Sequence, residues 1–89
     1  MQKKMLVLAR RDHTEAMRVS AGLTIFGHQV RLVFMHQPVA ETPENLEQAE
    51  TLELCEIEPE TTLADQDLPQ VNAHELSRAL IEADAVISL

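Results

Sequence analysis

Apolar positions fall in short unbroken runs near both ends of the chain, with helical spacings between them. Met5-Leu6-Val7-Leu8-Ala9 is continuous and of strand length. Asp12-His13-Thr14-Glu15 follows, an Asx residue three before a Glu, which marks a helix start. That spacing predicts a helix to Phe26, with Gly27 where a left-handed C-cap falls. Val30-Arg31-Leu32-Val33-Phe34-Met35 reads as a second buried strand. Two buried strands bridged by one helix lie parallel, joined by a right-handed crossover.

Further along, His36 to Glu41 reads as a loop with Pro38. Thr42-Pro43-Glu44 opens a second helix: Thr caps it, Pro suits the first helical position, and Glu favours the positive helix end. It is expected to run to about Leu54, with a thin apolar side of Leu46 and Ala49 beside Glu53, and Leu52 nearby. Glutamates recur every third residue from Glu41 to Glu56, save that the series drifts around a 3.6-residue helix and makes no single acidic face. Residues 55–63 alternate weakly, and Pro59 demotes them to an edge strand or extended loop. Residues 64–70 are polar and connect onward. Asn72-Ala73-His74-Glu75 is another capping-box-like start. Leu76, Ala79, Leu80 and Ala83 give the last helix its apolar stripe, and Ala85-Val86-Ile87-Ser88-Leu89 reads as a final strand.

The order β-α-β-α-β-α-β predicts an α/β fold: one small three-layer sandwich over residues 1–89, with a mainly parallel sheet of about four strands. A chain this short buries only about 60–65% of its unfolded surface. Parallel sheets need both faces covered, and three helices cover four strands only in part. That predicts a homo-oligomer, or a hetero-oligomer with related subunits. Met1, Met5, Met17 and Met35 read as core or interface filler rather than a cofactor box.

Charge changes the picture of partners. Residues 1–40 carry a net charge of +4 and residues 41–89 one of −12, which together make the −8 of the whole chain. The acidic half and the scarcity of aromatics argue against nucleic acid. The asymmetry suits contact between a basic and an acidic face, although acidic surfaces also serve solubility alone. One cysteine makes no internal disulfide, and no stretch approaches the roughly 20 apolar residues of a membrane span. Lys3 and Lys4 before an apolar run mimic a signal peptide, but Arg10-Arg11-Asp12 cut the run short. A cytoplasmic protein is expected.

Sites in open parallel sheets lie outside the carboxyl ends of the strands. There the chain places Arg10, Arg11, His13 and His36. A helix N-terminus beside arginines is a ready anion site, and the missing glycine-rich turn favours a small anion, a carboxylate or an acidic partner loop over a nucleotide pyrophosphate. The bland alternative is that Asp12 caps the helix while the arginines are solvated. His13 and His36 lack a third ligand at metal-site spacing, so no metal site is assigned. No Ser-His-Asp elbow, Walker loop or paired-carboxylate spacing specifies hydrolysis, and no cofactor is implied.

Three segments together resemble the DsrE/DsrF-like family of small sulfur-relay proteins. They are Met5-Leu6-Val7-Leu8 leading to Ala21-Gly22-Leu23, then Gly27-His28-Gln29-Val30-Arg31-Leu32-Val33-Phe34, and the closing Glu82-Ala83-Asp84-Ala85-Val86-Ile87-Ser88-Leu89. The resemblance spans the chain, through motifs that are mostly structural. It implies a compact α/β fold that associates into dimers, trimers or hexamers. It also implies a persulfide-carrying cysteine in the loop after the third strand. Here that region reads Glu58-Pro59-Glu60-Thr61-Thr62-Leu63, without cysteine. The departure leads to a DsrE-like member of a sulfur-relay-type system that is non-catalytic and acts by oligomerising or binding a partner. A sulfur carrier using Cys55 is the alternative, as is an anion or metabolite binder at the strand edge. Cys55 is either a reactive thiol near a cation or a small buried hydrophobe.

Overall fold

The computed structural model describes residues 2–64 and 66–89. Met1, one of the methionines expected to fill the core or an interface, lies outside them. The first apolar run forms β1 (Lys4–Ala9), and α1 (His13–Ile25), β2 (Gln29–Phe34) and α2 (Pro43–Leu54) follow. A two-residue β3 (Glu60–Thr61), α3 (Ala73–Glu82) and β4 (Ala85–Ser88) complete the described elements. The strand order is β3-β2-β1-β4, and every pairing is parallel.

Each helix begins where its local chemistry dictates. Asp12 Oδ1 accepts from the Glu15 amide at 3.0 Å, and Thr42 Oγ1 from the Asn45 amide at 3.1 Å. Asn72 and Glu75 close a reciprocal capping box at the head of α3. Gly27 takes φ +92° after α1, while the His28 amide returns to the Leu23 carbonyl and the Gly27 amide to that of Thr24. That is a Schellman ending. α2 ends the same way, with Ile57 donating to Leu52 and Glu56 to Glu53, but Glu56 holds the left-handed position at φ 59°.

Alternation along the strands splits the core into two layers. Val7, Ala9, Leu32 and Phe34 pack against Ala16, Met17 and Ala21 of α1 and Leu52 of α2. Leu6, Leu8 and Val33 face the other way, against Ala79 of α3. The result is the three-layer α/β sandwich that the element order predicts, with two helices on one face and one on the other. Met17 is buried in the core, and Met5 and Met35 are partly covered.

Two apolar stripes differ from expectation. Asn45 and Leu52 point inward from α2, whereas Leu46 is 61% exposed. The helix is held at its start by polar bonds, which turns the predicted side outward. On α3 only Ala79 is fully buried and Leu80 is largely solvent-facing, because one ten-residue helix covers part of a four-stranded face. No helix among the described residues is long and apolar enough to cross a membrane.

Candidate functional site at the carboxyl edge of the sheet

The loops leaving β1 and β2 start two helices side by side at the carboxyl edge. Between them lies a groove of about 500 Å³, lined by Arg11, His13, Gln37, Thr42, Glu44 and Asn45 among others. Asn45 joins its walls. Its side-chain amide donates to the Ala40 carbonyl at 2.8 Å, and Thr14 Oγ1 donates to its Oδ1. The N-termini of α1 and α2 are thereby tied together and share one lining, where helix dipoles favour negative charge.

His13 lies at the expected edge, but in α1 rather than in the loop between β1 and α1. It is the first residue of α1 and only 7% exposed. Its ring meets the edge of Phe34 at a centroid distance of 5.1 Å and 61°. The imidazole packs on Phe34 of β2, and its buried Nε2 has no hydrogen-bond partner. A buried polar atom without a partner costs roughly 1–3 kcal/mol.

Of the other predicted residues, the groove takes Arg11 and leaves out Arg10 and His36. The amides of Arg10 and Arg11 both donate to the Leu89 carbonyl at 2.8 Å, so the loop's backbone donors are engaged by the end of β4. His36 does not end the second strand: Phe34 does, and His36 is exposed in a tight turn at φ 74°, closed by the Gln37 amide on the Met35 carbonyl. The edge is shared with His13, but the side chains do not form one site. Asn45 and Thr42 are the lining residues the sequence did not single out. The Thr42 cap was legible, yet nothing local marked Asn45 as facing inward.

Cys55 stands well away from this edge, at the C-cap of α2. It is partly covered by the core beneath α2. A helix C-terminus presents carbonyls, and Glu53 and Glu56 flank it in sequence, so its own helix end offers no positive charge to a thiolate. No three His, Cys, Asp or Glu side chains among the described residues are placed to hold a metal ion together. No family model matches the chain, and neither does any curated protein or solved structure compared with it.

Proposed function

We propose that the protein is a binding module that takes a small anion in the groove between the N-termini of α1 and α2. The orphaned Nε2 of His13 carries this reading. His13 lines the groove at the start of α1, and in its Nε2–H tautomer the imidazole keeps a donor that the fold leaves without a partner. Arg11 supplies a full positive charge on the lining. Asp12 and Glu44 share that lining, which limits the charge the groove accepts. A monocarboxylate therefore fits better than a pyrophosphate, in keeping with backbone donors that already serve Leu89.

The test is a titration of the 15N-labelled protein with acetate, inorganic phosphate and a nucleoside diphosphate, followed at the Arg11 amide and the His13 ring. Saturable shifts with acetate, weakened about tenfold by Arg11→Ala and by His13→Phe, are expected, a change of about 1.4 kcal/mol. Equal affinity in wild type and both variants rejects the site.

A second reading keeps the family resemblance and makes the protein an assembling, non-catalytic DsrE-like subunit. It is favoured by the large apolar side chains left in solvent, Ile25, Phe26, Leu54 and Ile81 among them.

A further inference from the structure

We propose that copies of this chain associate head to tail, with the Ile25–Phe26 end of α1 seated in an apolar, acid-rimmed groove beside α2 of the next copy. This deepens the assembly reading by assigning both halves of the contact.

The groove has a volume of about 650 Å³, in the range that holds a compact apolar ligand. Its apolar lining includes Phe34, Leu46, Leu52, Ile57 and Leu68. Glu41, Glu50, Glu53 and Asp67 also line it, and none of its described lining residues is Lys, Arg or His. An apolar floor inside an acidic ring selects an apolar partner with cations at its edge.

The same chain carries such a partner elsewhere. α1 ends on Ile25 and Phe26, which are 76% and 83% exposed. The turn after them brings in the basic start of the chain. The Lys3 amide donates to His28 Nδ1 at 3.2 Å, and the Gln29 amide to the Lys3 carbonyl at 2.9 Å. Lys3 thus stands beside the apolar tip and is exposed, whereas Lys4 shares the α3 side of the sheet with Leu6 and Glu82. Burying these two bulky side chains takes a large apolar area out of water, which favours association.

The tip does not line the groove of its own copy. It sits where β1 and β2 begin, whereas Phe34 in the groove ends β2, a six-residue strand roughly 17 Å long. Tip and groove therefore meet between molecules. The contact is heterologous, because each copy uses one surface to give and another to receive. It joins the +4 half of one chain to the −12 half of the next.

Sedimentation of the full chain across a range of concentration and salt is the test, with charge reversals on the tip and in the groove. Phe26→Ser, at an exposed position that leaves the core intact, is expected to weaken association about tenfold or more. Lys3→Glu is expected to weaken it, and so is Glu50→Lys with Glu53→Lys. Mixing those two variants restores association, because each then offers the other a complementary tip and groove. A wild type that stays monomeric up to about 1 mM overturns the assembly reading and this contact together. A wild type that associates, with Phe26→Ser and both reversals without effect, overturns this contact alone and leaves assembly to another face.

Discussion

Glu56 is held in a left-handed conformation that a side chain disfavours by about 1–2 kcal/mol. The position after a helix C-cap ordinarily takes glycine, as Gly27 does after α1. Glu56→Gly is therefore expected to stabilise the fold by about 0.5–1 kcal/mol, once glycine's extra unfolded-state freedom is set against the relieved strain. Thermal unfolding should shift upward by roughly 3–6 °C, and a fall would show that Glu56 makes a compensating contact. A second residue-level effect concerns acid. The hydrogen bond from Arg18, with its charge, holds the Glu15 carboxyl below its ordinary 4.5. A carboxyl lowered by folding stabilises the native state above the unfolded value, and that contribution drains away as pH falls through the lowered one. Arg18→Gln should thus cost stability at pH 7 and cost little at pH 3, read as the gap between melting temperatures. A gap of equal size at both values would separate the pair from any role in acid sensitivity.

At the scale of elements, α1 and α2 share one core layer and are hydrogen-bonded to each other through a single side-chain amide. Asn45 bridges Thr14 and the Ala40 carbonyl while its own amide is capped by Thr42. Removing it by Asn45→Ala leaves two polar groups without partners, at a cost of about 2 kcal/mol or roughly 10 °C in Tm. Asn45→Asp keeps an acceptor for Thr14 and suits the helix N-terminus, so it is expected to fall between. Equal melting of Asn45→Ala and wild type would mean that water replaces the bridge. This bridge also marks how far the sequence could be read. The caps Asp12, Thr42 and Asn72 were legible because each bonds within three residues of itself. So were the strand β1 and the glycine ending of α1. Asn45 and His13 were not, since their burial depends on how two helices sit on a sheet. β3 shrank to two residues for a similar reason. It is held by the Phe34 carbonyl and by the paired hydrogen bonds of Arg31 to Glu60 at 2.6 and 2.9 Å, rather than by its own alternation. The hydrogen bond to Glu60, followed by its charge, also binds the Arg31 proton more firmly than usual, so that clasp stays charged.

For the molecule as a whole, the two edges of the sheet are treated unequally. Beyond β3 the chain returns as Pro69 to Val71, with Thr61 donating to the Pro69 carbonyl at 3.0 Å and Val71 to that of Thr61 at 2.7 Å. That edge is covered. The outer edge of β4 has no partner strand among the described residues, and its Ala-Val-Ile-Ser carries neither charge, proline nor bulge. Natural edges are blunted by such devices because bare backbone recruits other strands. Val86 flanks this edge on the thinly covered α3 side, 43% exposed. A lysine there meets solvent instead of displacing core, so Val86→Lys should change unfolding free energy by less than about 1 kcal/mol. It should nonetheless slow aggregation near the melting temperature, followed by light scattering at matched protein concentration, because a charge beside the edge opposes pairing. The head-to-tail contact uses the other face and should sediment unchanged in this variant. Aggregation at the wild-type rate would shift blame from the β4 edge to the exposed apolar side chains on the helices. Sedimentation that changed with Val86→Lys would place the contact between copies at the edge instead.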